Sequence, residues 1–114
     1  MTRMIYHMCP AETWKTAACA GAYRGTADDL RDGFIHFSTA EQIAESARRH
    51  RAGQTGLVLI AVESERLGER LRWEPSRGGA LFPHLYGPLD AAEVASVEPL
   101  ALGPDGEHVF PPLR

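Results

Sequence analysis

Apolar residues along the chain switch between strand-like and helix-like spacing, and the switches mark the elements. Leu57 to Val62 is the longest unbroken apolar run. It is apolar on both faces, so it predicts a central strand. Met4-Ile5-Tyr6-His7-Met8 is rich in β-prone residues and predicts a first strand. Pro10 then opens a helix and Gly21 closes it, with Trp14, Ala17 and Ala18 as its buried stripe. A polar turn from Asp28 to Gly33 leads into a strand over Phe34-Ile35-His36-Phe37-Ser38. Pleating puts Phe34, His36 and Ser38 on one face of it and Ile35 and Phe37 on the other. Ser38-x-x-Glu41 has the form of a capping box, and Ala40, Ile43, Ala44 and Ala47 continue at helical spacing to about Arg51.

The second half is less regular. A turn at Ser64 to Gly68 returns the chain to Leu71-Arg72-Trp73-Glu74, which reads as a pairing partner for the central strand. Residues 75–90 are broken by Pro75, Gly78, Gly79, Pro83, Gly87 and Pro88 and predict a loop. Leu81, Phe82, Leu85, Tyr86 and Leu89 are too apolar for an idle loop, so this segment is expected to wall or cover a pocket. Val94 to Leu102 predicts an edge strand because Pro99 interrupts it. Pro104-Asp105-Gly106 then turns Val109 and Phe110 back as a terminal hairpin. Five or six strands with two helices in the N-terminal half make an α+β pattern with a small mixed or antiparallel sheet.

At 114 residues the chain is expected to form one domain over 1–114. The net charge of −3 gives no strong nucleic-acid footprint. The one dense basic run, Arg48-Arg49-His50-Arg51, reads first as the solvated end of a helix and second as a phosphate binder. No apolar run approaches the roughly 20 residues of a membrane span, and the first residues lack an apolar signal core, so a cytoplasmic protein is expected. Cys9 and Cys19 flank the first helix about 15 Å apart, beyond disulfide reach, and are expected to be free thiols.

His7, His36 and His84 carry the candidate chemistry. Each stands beside aromatic residues, and a strand imidazole on a half-buried face needs hydrogen-bond partners. They are either three separately satisfied side chains or the lining of one pocket for a small polar ligand. Three imidazoles and a water also make a catalytic zinc site, but these come from separate elements without tight metal-motif spacing, so no metal is expected. His50 and His108 read as surface residues. Cys9, before a helix and two residues from His7, has some of the setting of an activated thiol. Ser38 and Thr39 serve as helix caps or face a bound anion. Glu74 is the candidate carboxylate beside the loop, and Trp73 and Tyr86 are core residues or ligand stackers.

Ile5-Tyr6-His7-Met8, Asp32-Gly33-Phe34-Ile35-His36-Phe37-Ser38-Thr39 and Phe82-Pro83-His84-Leu85-Tyr86-Gly87-Pro88-Leu89 together resemble the bacterial family called "domain of unknown function 952". The resemblance spans nearly the whole chain, with Trp14, Tyr23, Gln42 and Trp73-Glu74 in their expected places. It implies the fold of the ADP-ribosyltransferases, which bind NAD in the cleft of a split sheet. By that resemblance His7 takes the place of the residue that orients the nicotinamide ribose. His36 takes that of the tyrosine that stacks on nicotinamide, and His84 that of the usual glutamate. Cleaving a nicotinamide–ribose bond builds positive charge on the sugar, which a carboxylate stabilises and a neutral imidazole does not. The resemblance therefore implies a phosphorylated acceptor bringing its own charge, with Arg72 or Arg77 as anion clamps. The expected ligand is NAD or an ADP-ribose-like nucleotide. A non-catalytic nucleotide-binding module, a metal-dependent hydrolase and a structural or interaction role are the alternatives.

Overall fold

The computed structural model describes residues 3–113, with the side chain of Arg77 outside the description. The chain runs β1 (Met4–Pro10), α1 (Ala11–Ala20), β2 (Ala22–Tyr23), α2 (Ala27–Asp32), β3 (Ile35–His36), β4 (Ser38–Thr39), α3 (Ile43–His50) and β5 (Leu57–Glu63). It continues through β6 (Leu71–Pro75), β7 (Leu81–Leu85), β8 (Leu89–Asp90), β9 (Val94–Leu102) and β10 (His108–Val109). A five-stranded sheet has the order β10-β9-β5-β1-β4, a three-stranded sheet the order β3-β7-β6, and β2 pairs with β8. Every described pairing is antiparallel, so the architecture is α+β without the parallel pairs of a mixed sheet.

β5 is central, between β1 and β9, as its two-faced apolar run requires. Val58, Ile60 and Val62 of β5 join Ile5 and Cys9 of β1 in one core layer, with Tyr23, Ile35, Phe37, Leu67, Leu85 and Leu89. Leu57, Leu59 and Ala61 join Tyr6 and Met8 in a second layer under Ile43 and Ala47 of α3. β1 is thus buried on both faces, and its odd positions, His7 included, point into the layer shared with the three-stranded sheet.

Several expectations are corrected. There are three helices in the N-terminal half, not two, because the polar segment before Gly33 is α2. Thr26 caps it: its hydroxyl accepts the Asp29 N–H, while the Asp29 carboxylate accepts the Thr26 N–H. α1 buries no residue fully, and Trp14 and Ala17 only lean on the core. Ser38 and Thr39 form β4 and do not cap α3, which starts at Ile43. The capping signature is displaced by one residue, with the Gln42 side chain accepting the Thr39 N–H at 3.1 Å. The strand expected over residues 34–38 is divided at Phe37: β3 lies in the three-stranded sheet and β4 in the five-stranded one.

Residues 75–90 are not a loop. β7 is the middle strand of its sheet, and β6 pairs with it and not with β5. Pro83 is accommodated because β3 ends opposite it: the ladder stops at His36↔His84, and the Pro83 carbonyl accepts the Phe37 N–H. The terminal hairpin forms, pairing His108 with Leu102 and Val109 with Ala101, so Pro99 lies on a stretch of β9 with β5 on one side only. Among the described residues no helix is long and apolar enough to cross a membrane.

The two layers meet at β5, and its fully buried side chains should dominate stability. Ile60→Ala is expected to cost about 2 to 5 kcal/mol in urea unfolding. Leu30→Ala, at a side chain 65% exposed on α2, should stay within about 0.5 kcal/mol.

Candidate functional site

The crossing at Phe37 brings His36 alongside β1. Ser38 lies opposite Tyr6 in the β1–β4 ladder, so the backbone just before it passes beside His7. The His36 carbonyl there accepts the His7 Nδ1–H at 2.6 Å. With Nδ1 as donor, Nε2 of the neutral ring is an acceptor, and it takes the Tyr23 hydroxyl at 2.6 Å. Burial pushes the His7 pKa down, against the pull of Asp29. His7 is therefore a neutral side chain with both nitrogens committed inside the protein.

Asp29 organises the opposite wall. It projects from the first turn of α2 with its side chain 2% exposed. One carboxylate oxygen accepts both the backbone N–H and the ring Nδ1–H of His36, the ring contact being 2.5 Å. The other oxygen accepts the Thr26 N–H at 2.7 Å and hydroxyl at 3.1 Å, and lies 3.7 Å from Nε2 of His7. Burial alone would raise the Asp29 pKa, but the His36 hydrogen bond, His7 and the amides outweigh it and hold the carboxyl low. Gly25 makes room for this carboxylate: a Cβ there would sit 2.5 Å from that of Asp29, on a backbone with φ +105°.

His36 is a cation by the same geometry. Its Nε2 faces Asp32 at 3.1 Å while Nδ1 bonds Asp29, so both nitrogens donate to carboxylates. The Asp29 hydrogen bond raises its pKa, with burial opposing, and the ring remains 40% exposed.

His84 is placed by the β6–β7 pair. Its Nδ1 lies 2.7 Å from a Glu74 oxygen, which also accepts the Tyr86 hydroxyl at 2.8 Å. The hydrogen bonds from His84 and Tyr86 hold the Glu74 carboxyl low. Phe34 stacks on the His84 ring at 4.1 Å between centroids. With Nδ1 engaged by Glu74, Nε2 is the ring nitrogen that Glu74 leaves available.

All three histidines line one cavity of about 190 Å³ at the junction of the sheets. The His36 and His84 rings stand 5.5 Å apart, edge to face. Ser38 also lines it, its hydroxyl 3.0 Å from that of Ser46. Thr39 is buried away from it. Trp73 packs against the core beneath Arg3, and Glu74 and Tyr86 stand behind His84. Arg72 lies over the Tyr86 ring, 4.8 Å from its centroid, so it is not poised as a clamp inside the cavity, and the Arg77 side chain is outside the description.

The thiol reading of Cys9 is overturned: the side chain is fully buried, and burial pushes its pKa up, away from thiolate. Both cysteines are free. Among the described residues no group of three or more His, Cys, Asp or Glu side chains is arranged to hold a metal ion. Asp29 is the residue that sequence reasoning missed. Its signal was Thr26-x-x-Asp29, a capping pattern like the one read at Ser38.

Two consequences can be measured. In Asp29→Asn an amide replaces the shared acceptor, which is expected to cost about 1 to 3 kcal/mol and to lower the His36 pKa followed by NMR titration. The two histidines also pull stability in opposite directions about the free value near 6.5. His36, with its raised pKa, contributes fully below that value and loses the contribution as pH rises through its folded pKa. His7, with its lowered pKa, loses its contribution as pH falls through its folded pKa. Thermal melts of His36→Gln should lose the alkaline decline and keep the acid one.

The fold is shared with solved structures. A crystal structure of protein CC0527 from Caulobacter crescentus matches with TM-score 0.90 at 49% identity, covering 93% of each chain. A double mutant of that protein matches with TM-score 0.90 at 48% identity, again over 93% of each chain. Its solution NMR structure matches with TM-score 0.83 at 50% identity, over 91% of this chain and 90% of that one. No curated protein matches the chain. A family model matches residues 8–97, which takes in α2, the crossing at Phe37 and β7, and on that match the chain belongs to the family described as "Protein of unknown function (DUF952)".

Proposed function

We propose that the cavity receives the ribose–nicotinamide end of NAD, or the corresponding ribose of an ADP-ribose-like nucleotide, within an ADP-ribosyltransferase-like fold. The observation that carries this reading is the convergence of His7, His36 and His84 on one cavity, each ring fixed by a different set of hydrogen-bond partners. At about 190 Å³ it is below the roughly 300 to 1,000 Å³ of pockets that enclose a drug-sized molecule, so it suits one end of a dinucleotide.

The roles differ from a simple triad of ligand-binding imidazoles. His7 has no free nitrogen for a ribose hydroxyl and acts as a positioning residue, holding the His36 backbone. His36 presents an imidazolium held between Asp29 and Asp32, and Arg31 in turn lies 3.0 Å from Asp32 and 3.4 Å from Asp28. Asp29 is the carboxylate buried against the rings, and it would favour a sugar developing positive charge in place of the usual glutamate. His84, oriented by Glu74, offers Nε2 as a general base. In transfer to a hydroxyl, the ribose C1′–nicotinamide bond breaks with its electron pair leaving on nicotinamide. The acceptor oxygen bonds C1′, and its proton passes to His84. A phosphate acceptor needs no proton removed. A metal-dependent hydrolase fits less well, because His7 and His36 would each have to give up a hydrogen bond to ligate an ion.

Calorimetry with NAD and ADP-ribose, with nicotinamide release followed chromatographically, tests the reading. Binding to wild type is expected, with release reduced about 10²- to 10⁴-fold in His84→Ala while NAD still binds. Binding without any release would make the domain a non-catalytic nucleotide module. Failure of both nucleotides to bind at millimolar concentration would end the proposal.

A further inference from the structure

The basic run at the end of α3 is not uniformly solvated. Arg48 lies 3.7 Å from Glu107 and Arg49 lies 3.2 Å from Glu45, both exposed pairs. Arg51 is the C-cap of α3, its N–H bonded to the Ala47 carbonyl, and its side chain turns inward. Its Nε is buried with no hydrogen-bond partner. Arg51 lines the histidine cavity together with Tyr6, His7 and Met8 of β1. A buried guanidinium nitrogen without an acceptor is costly and calls for an explanation, which an acceptor on a bound ligand supplies.

Arg51 also stands at a boundary. It lines the histidine cavity and, on its other side, a more open cleft of about 440 Å³ formed by Pro10, Thr13, Gly25, Thr26 and Ala27. Asp28 is the other residue common to both spaces, and it is drawn towards Arg31 at 3.4 Å. A ligand with one end among the histidines and the rest in the open cleft must pass over the Arg51 guanidinium.

We infer that Arg51 binds a phosphate or diphosphate group of the ligand, so that the ligand is a phosphorylated sugar or a diphosphate-bridged nucleotide spanning both spaces. This rests on the proposed reading of the histidine cavity only for which end of the ligand enters there. The planar fork of Arg51 suits phosphate, giving paired hydrogen bonds where lysine gives a point charge. The neighbouring cations are already paired: Arg31 lies 3.4 Å from Asp28 and 3.0 Å from Asp32, and the His36 cation is shared between Asp29 and Asp32, while His7 is neutral.

The test compares wild type, Arg51→Met and Arg51→Lys against inorganic pyrophosphate, ADP-ribose and phosphate-free nicotinamide riboside, by calorimetry with parallel melts. Wild type should bind pyrophosphate and ADP-ribose. Arg51→Met should weaken both at least tenfold, leave nicotinamide riboside unaffected, and melt no lower than wild type without ligand, since it deletes an unsatisfied group. Arg51→Lys should fall between. Undiminished ADP-ribose binding in Arg51→Met would overturn the inference and leave the histidine cavity standing. So would absence of pyrophosphate binding to wild type, or a large drop in the ligand-free melting temperature of Arg51→Met, which would make the arginine structural. Arg51-dependent pyrophosphate binding with no response to NAD or ADP-ribose would keep the phosphate site and discard the nucleotide reading.

Discussion

One buried carboxylate governs the site. Asp29 ties the start of α2 to Thr26, fixes the His36 backbone and ring, and sets the charge that His7 senses. A carboxylate taken out of water is tolerated only when its oxygens are fully used, and here four hydrogen bonds meet it. The constraint propagates outward. Gly25 must lack a side chain for Asp29 to fit, and α2 must begin at Thr26 for the capping hydroxyl to reach. The helix itself is only six residues long, so its position comes from this anchoring more than from its own propensity.

Three residues of one type consequently do three different jobs. His7 is buried between a carbonyl and a phenol and stays neutral. His36 stands between two carboxylates and is charged. His84 is held through Nδ1 by the Glu74 carboxylate, which Tyr86 also bonds. Environment, not residue identity, assigns these states.

Much of this was legible in the sequence, and the failures have physical causes. The three histidines were singled out because an imbedded imidazole among aromatics needs partners, and that argument holds whatever the partners are. β5 was legible because an apolar run has no polar face to expose. Asp29 was not, because a single turn and a half of helix is too short to show periodicity, and Asp28-Asp29 reads as a solvated turn. β7 was hidden by Pro83 and by the glycines around it. A proline argues against a central strand only where the ladder needs its N–H, and β3 stops before that point. The inward turn of Arg51 had no sequence signal at all, since Arg48 and Arg49 beside it do lie in solvent.

The correction at β7 changes how the site must work. A loop over residues 75–88 could have closed on a ligand, but a strand hydrogen-bonded on both sides cannot swing without breaking its ladders. His84 and Glu74 lie diagonally across one such ladder, His84 opposite Arg72 and Glu74 opposite Phe82, and His36 faces His84 across the other. The geometry between the base and the imidazolium is therefore set by backbone pairing before any ligand arrives. Such a site gains by preorganisation what it loses in induced closure. Phe34, Phe37 and Tyr23 pack around the rings and hold them from behind. On the other side of Arg51 the open cleft is bounded by the turn at Gly25, whose backbone is held by the Thr26–Asp29 cap and not by a sheet ladder.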